Sequence, residues 1–173
     1  MSETLITVIA IFVGVVLMFV FPLMSVSERN DDVAELAVQS ATTDFVNKVK
    51  TSGVITAANY DSFIQTLNAR GNTYDVDIEL KILDENLSSK VGQASAQKIG
   101  ENIYYSEYTS QIEAKLNSTG KYILKEGDKI SVTVKNTNVT IAQMLKNFFY
   151  SITGNDSYQI AASKVEMITA NGK

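Results

Sequence analysis

The sequence predicts an α+β protein in which a long N-terminal helix, first hydrophobic and then amphipathic, packs on a small antiparallel β-sheet head with additional short helices. Three observations support this fold class. Residues 5–24 carry no charge, apolar residues at helical spacing follow as far as residue 49, and residues 74–82 alternate between apolar and polar side chains. A helix of this kind offers the apolar stripe that a small sheet needs for cover.

The composition excludes several classes of function. The 173 residues carry a net charge of −4, so the chain has no basic field to attract a nucleic acid. It contains no cysteine and no histidine, which removes disulfides, thiolate nucleophiles, zinc–sulfur sites and the commonest general base. Phosphate-binding loops and G-x-S-x-G motifs are also missing from the sequence. We therefore expect no catalytic residue, no metal site and no cofactor, and we expect that the protein is not an enzyme.

The uncharged segment 5–24 is long enough to cross a membrane. Fourteen of its twenty residues are Leu, Ile, Val or Phe, which favours insertion by about 4–8 kcal/mol, and twenty helical residues rise about 30 Å. A removable signal peptide is the alternative, with Ser25-Val26-Ser27 as its cleavage site. That alternative fits less well because the apolar run is long and no Lys or Arg precedes it.

Three residues in or just before this segment occupy informative positions, namely Glu3, Gly14 and Pro22, and a polar helical stretch follows from residue 28 to residue 50. In these features the sequence resembles the type IV pilins and their relatives. The segments YDSFIQTL and NTYDVDIELK are similar to small pilin-like membrane proteins of tight-adherence type in Gram-positive bacteria. The resemblance implies a membrane anchor that becomes the core of a cell-surface filament after assembly.

The same resemblance assigns roles to these residues. It implies that Glu3 sets the registration of the subunit by pairing with the amino terminus of a neighbour, and that the helix loosens between Gly14 and Pro22 during assembly. The family's acid lies two residues later than Glu3, where this chain has Leu5. If the alignment is shifted so that residues 4–7 overlay the first residues of the family, Thr7 falls at that position instead.

The resemblance also implies partners and a domain organisation. The partners are other copies of the chain in a helical homopolymer, the membrane before assembly, a prepilin peptidase, and a membrane assembly platform with its ATPase. Residues 1–25 form the transmembrane or filament-core helix, residues 26–53 its amphipathic continuation, and residues 54–173 a globular extracytoplasmic α+β head. A leader peptide that once preceded Met1 would explain why no basic residue precedes the apolar segment.

Two functions compete on this basis. The first is a structural subunit of an extracellular pilus-like filament, assembled by packing of the N-terminal hydrophobic helices. The alternative is a single-pass, membrane-anchored extracytoplasmic assembly or binding module that stays in the bilayer. A plain membrane anchor that tolerates a proline near its end would serve the alternative equally well.

The long helix and the first half of the head are predicted to contribute two helices and a strand. The long helix is expected to bury a face at helical spacing, and Gly53 is expected to end it. A second helix is predicted over residues 57–69, and a strand with one buried face over residues 74–82. The expected buried face of the long helix consists of Val33, Leu36, Ala37, Ala41, Phe45 and Val49.

The second half is predicted to contain a helix over residues 109–117 that ends at Gly120, a β-hairpin around Glu126-Gly127-Asp128, and a helix that Thr140 and Gln143 open with a capping box. Gly154 is expected to close this helix. In the last strand, a β-bulge near Ser163 is expected to turn the next apolar residues inward. The apolar residues of the capped helix are Ile141, Met144, Leu145, Phe148 and Ile152, and those after the bulge are Val165 and Met167.

Two further groups of residues are candidates for surface roles. Tyr104, Tyr105 and Tyr108 crowd together, and their pattern favours a place in the core over the alternative, exposed contacts with other subunits. Four Asn-x-Ser/Thr motifs could accept a glycan if the source glycosylates its surface proteins. Their asparagines are Asn86, Asn117, Asn138 and Asn155.

Overall fold

The computed structural model describes residues 2–69, 71–84, 104–153 and 160–173. Within these ranges the chain is a mixed α+β protein, as the sequence predicted, with a long N-terminal helix and a small antiparallel sheet. The elements, in chain order, are α1 (Ser2–Ser52), β1 (Val54–Thr56), α2 (Ala57–Asn68), β2 (Tyr74–Leu83), β3 (Tyr104–Tyr108), α3 (Thr109–Thr119), β4 (Lys121–Ile123), β5 (Lys129–Asn136), α4 (Ile141–Thr153) and β6 (Ala161–Met167).

Helix α1 runs through 51 residues without a break, Pro22 included, which corresponds to about 76 Å of helix. Its second half packs against α2, α4 and β6. The face that it buries is rotated from the predicted one: Phe45 and Val49 are buried as expected, but Val33 and Leu36 are exposed. The buried positions are Ser27, Asp31, Ala34, Val38, Thr42, Phe45, Val46 and Val49.

Polar residues explain why the predicted face was wrong. Ser27, Asp31 and Thr42 all lie on the buried face, so a search for apolar spacing alone shifts the stripe towards Val33. Burial of these groups is tolerated where they have hydrogen-bond partners. The Thr42 hydroxyl donates to the Val38 carbonyl over 2.7 Å, and Asp31 accepts from the Thr140 hydroxyl.

The main sheet has four strands in the order β3-β2-β5-β6, and every neighbouring pair is antiparallel. The alternation predicted for residues 74–82 is confirmed, because β2 turns Ile78 and Leu80 into the core and leaves Asp75 and Asp77 in solvent. Strand β5 adds Val132 from the same face. This face lies against α1 and α2, while the opposite face of the sheet is uncovered within the described residues.

The predicted β-hairpin around Gly127 is wrong. The turn exists, with Gly127 at a φ of 96°, but β4 pairs with β1 in a separate two-stranded sheet, and β5 pairs with β2 and β6. The buried Asp128 carboxylate explains the departure. It accepts hydrogen bonds from the backbone N–H groups of Lys125 and Leu83, so the chain is held between the two sheets instead of folding back on itself.

The predicted β-bulge near Ser163 is also wrong. The pairing of β5 with β6 is continuous along its length, so Val165 and Met167 point outward and are exposed. The inward positions hold Lys164 and Glu166. The carboxylate of Glu166 accepts from Lys50 of α1 at 2.9 Å and from Lys164 at 3.0 Å, and these two ammonium groups lower the pKa of Glu166.

Local signals in the remaining helices are confirmed. Gly120 ends α3 in the left-handed region at a φ of 74°. The capping box of α4 is present, since the Thr140 hydroxyl accepts from the Gln143 N–H and the Gln143 side chain accepts from the Thr140 N–H. Gly154, which was expected to close α4, lies outside the described residues. On the predicted apolar face of α4, Ile141 and Met144 are exposed.

Two tyrosines tie the layers of the head together through carboxylates. The Tyr60 hydroxyl of α2 donates to Glu113 of α3 over 2.6 Å, and the Tyr122 hydroxyl of β4 donates to Glu107 of β3 over 2.7 Å. Burial and the neighbouring carboxylate together raise the pKa of both phenols, so both stay protonated in the pH range where proteins fold.

Candidate assembly surface

The first half of α1 has almost no cover. Every described side chain from residue 3 to residue 26 is exposed except Val20 and Met24, which are half-buried. The helix is long and apolar enough, by its length and composition, to cross a membrane. An apolar surface of this size is not stable in water, and it must be shielded by lipid or by protein.

The residues predicted to register the subunit lie at the start of this surface. The Thr7 hydroxyl donates to the backbone carbonyl of Glu3 over 2.8 Å, so the hydroxyl is satisfied within its own helix. The Glu3 side chain is exposed. An apolar environment makes a lone carboxylate costly, so a cationic partner such as a neighbour's amino terminus would stabilise it there. The registration role of either residue stays a prediction.

Gly14 and Pro22, which were predicted to loosen the helix, both lie within unbroken helix. A Cβ atom on Gly14 would meet no heavy atom within 4 Å, so the head does not require glycine at this position. Pro22 has no N–H, and the carbonyl of Met18 therefore lacks its usual helical donor. The loosening of this interval during assembly stays a prediction.

Exposed apolar side chains also occur past the end of the membrane-length segment. Val26, Val33 and Leu36 are 59%, 49% and 65% exposed. Because each helical residue rotates the chain by about 100°, these three lie on the side of α1 opposite to the face that packs on the head. We call them the outer stripe.

A second feature, which the sequence analysis missed, joins α4 to α1 just beyond the apolar segment. The Thr140 hydroxyl donates to the buried carboxylate of Asp31 over 2.7 Å, and the Lys146 ammonium lies 3.2 Å from Glu28. A signal for this contact is present in the sequence. Glu28 and Asp31 are three residues apart and therefore share one face of a helix. Their two carboxylates can both bond to a single element that packs on that face.

The tyrosine cluster lies at an edge of the main sheet, on β3. The preference for a core location is wrong for Tyr105 and Tyr108, which are exposed. Tyr104 is half-buried: its hydroxyl donates to the Gly127 carbonyl over 3.2 Å, and the Lys129 ammonium lies 4.6 Å from the centre of its ring. Whether these side chains contact other subunits stays a prediction.

The glycan acceptors differ in access. Asn117 is exposed near the end of α3. Asn138 is half-buried, and its side-chain nitrogen donates to Asn72 over 3.0 Å, so a glycan there would displace that hydrogen bond. The remaining two candidates, Asn86 and Asn155, lie outside the described residues. Glycosylation stays a prediction at all four positions.

In the described ranges, the acidic side chains form no group of three or more that could hold a metal ion. The features described above are surfaces: an exposed apolar helix, its outer stripe, and the junction of α1 with α4. They define an α+β protein with a long, uncovered apolar N-terminal helix. Comparison with known protein families, curated proteins and solved structures finds no match for this chain.

Proposed function

We propose that the chain is a structural subunit of an extracellular pilus-like filament, held in the membrane before assembly and joined to its neighbours by packing of the N-terminal helices. The outer stripe is the observation that carries this proposal. A simple anchor needs apolar residues only within the bilayer, whereas this helix exposes them further along.

The distances along α1 make the argument quantitative. Val33 and Leu36 lie nine and twelve residues beyond Met24, or about 14 and 18 Å along the helix, which is outside the hydrocarbon core and most of the headgroup region. Lipid therefore does not cover these side chains when α1 stands upright in the membrane. The same helix of a neighbouring subunit offers a matching surface, and repetition of one such contact in a geometry that does not close gives a fibre.

The replacement Leu36→Glu tests this interpretation. Burial of an unpaired carboxylate between subunits costs at least about 2 kcal/mol per contact, so we expect the yield of sheared fibres to fall more than about tenfold. The membrane-bound chain and its thermal unfolding should be unchanged, because Leu36 is exposed in the isolated subunit. Gln65→Glu is the matched control, since it adds the same charge at an exposed position on α2.

The measurement is imaging and quantification of fibres sheared from cells, beside the amount of chain retained in membranes. Fibres at normal yield from Leu36→Glu would remove the outer stripe from the interface. Absence of fibres from the unaltered chain, with all of it retained in membranes, would favour the alternative, a single-pass assembly or binding module that stays in the bilayer.

The replacement Glu3→Ala tests the registration role separately. If the Glu3 carboxylate pairs with a neighbour's amino terminus, its loss should reduce the fibre yield while the head stays folded. Asp44→Ala is the control, because it removes an exposed acid from the head-bound half of α1. Normal fibres from Glu3→Ala would eliminate registration by Glu3 but not the filament itself.

A further inference from the structure

Helix α4 runs from the head towards the apolar half of α1. Its N-terminal cap contacts α1 through Thr140 and Asp31, and its second turn contacts α1 through Lys146 and Glu28. Since the position rises along α4 while it falls along α1, the two helices run in opposite senses. Seven residues of α4 follow Lys146, which extends the helix by about 10 Å in the direction of Met24.

The burial of α1 marks the same path. In the stretch from residue 3 to residue 26, the two half-buried residues are Val20 and Met24. At about 100° per residue, both lie on the face of α1 that carries Ser27 and Asp31, where α4 packs. The cover that begins at Asp31 therefore continues into the membrane-length segment, as expected if α4 extends alongside it.

The composition of α4 suits an interface between lipid and water. Its single charged residue is Lys146, which is paired with Glu28, and no acid occurs between Ile141 and Thr153. The exposed side chains of its first turn include Ile141 and Met144, at 54% and 55% exposure. The sequence continues with Phe148, Phe149 and Tyr150. Phe is common on the apolar face of membrane-bound helices, and Tyr is enriched where membranes meet water.

We propose that α4 is a second membrane contact, which meets the bilayer beside the point where α1 leaves the hydrocarbon and places Met144 against phospholipid. Continuity with the apolar half of α1 identifies the occupant as lipid, because an element that runs towards the membrane-length segment must meet the bilayer surface. The inference rests on the membrane-inserted state of the proposed function, not on filament assembly. Its consequence is a subunit held by a transmembrane helix and a second, shorter membrane-contacting helix together.

The absence of native cysteine makes a direct test possible. Single-cysteine variants of the full chain are labelled with the environment-sensitive fluorophore NBD and reconstituted at high dilution into phosphatidylcholine vesicles that contain doxyl-labelled lipid. The test position is Met144→Cys. Phe21→Cys is the reference for lipid contact within α1, and Val165→Cys is the matched control, because it is an apolar residue with 61% exposure on the outward face of β6.

We expect doxyl lipid to quench most of the emission from Met144→Cys, with little loss from Val165→Cys. Emission at Met144 that is quenched by aqueous iodide as readily as at Val165 would overturn the proposal. Emission that is shielded only at high protein density, and not quenched by doxyl lipid, would overturn it in favour of a second copy. Loss of lipid quenching at Phe21 would overturn the membrane-inserted state, and this inference with it. Lipid quenching at Phe21 without lipid quenching at Met144 would overturn only the role of α4.

Discussion

Replacement of Phe45 by alanine is expected to destabilise the head by about 3–5 kcal/mol. Phe45 is buried on α1, and its ring stacks on Phe63 of α2 with the ring centres 4.5 Å apart and an angle of 8° between the planes. Truncation removes this contact and leaves a cavity between the two helices. The same contact joins α1 to the head. Its loss therefore weakens a junction that both a filament subunit and a membrane anchor require.

The measurement is urea-induced unfolding of the full chain in detergent, followed by the tyrosine fluorescence of the head. Leu36→Ala is the matched control, because Leu36 lies on the exposed side of the same helix and should change the free energy of unfolding by less than about 0.5 kcal/mol. Equal midpoints for the two variants would contradict the assignment of Phe45 to the core.

Replacement of Gly53 by alanine is expected to cost about 2–5 kcal/mol, which combines the strain of a left-handed residue with a steric clash. Gly53 has a φ of +67°, and a Cβ atom there would lie within 3.0 Å of backbone atoms of Ala170 and Gly172. The carbonyl of Gly53 also accepts from the Leu124 N–H over 2.7 Å. Movement of this residue would therefore disturb the end of α1 and the C-terminal segment together.

Gly120→Ala provides the comparison. Gly120 has a φ of +74°, and a Cβ atom there would meet nothing within 4 Å. Its replacement should cost only the conformational strain, about 1–2 kcal/mol. Thermal unfolding of the two variants separates strain from clash, and a Gly53→Ala protein as stable as Gly120→Ala would show that the C-terminal segment adapts without cost.

Much of the fold follows from local sequence signals. The apolar run of α1, the alternation of β2, the left-handed Gly120 and the capping box of Thr140 each depend on residues close in sequence. The hairpin prediction was wrong because turn residues fix only a change of direction. The pairing of the strands on each side of Gly127 depends on Asp128, whose partner Leu83 is 45 residues away.

The candidate surface was predictable in part, because only some of it depends on residues close in sequence. The length and composition of the apolar segment are visible in the sequence, but its outer stripe is not. Val33 and Leu36 read as core residues until the polar Asp31 is known to be buried beneath Thr140, which is 109 residues later in the chain. Sequence periodicity identifies that a helix has two faces, and only the tertiary contacts decide which face is covered.

The far end of α1 is joined to residues that follow it by more than a hundred positions. The N–H and hydroxyl of Thr169 both bond to the Lys50 carbonyl, a separation of 119 residues, and the Gly172 N–H bonds to Leu124. During synthesis, α1 thus leaves the ribosome long before the C-terminal residues that bond to its distal end have been made. Contacts so remote in sequence form slowly. Until they form, the nascent chain exposes both its apolar segment and an incomplete core. During that interval a chaperone or the translocation machinery would have to protect it from aggregation.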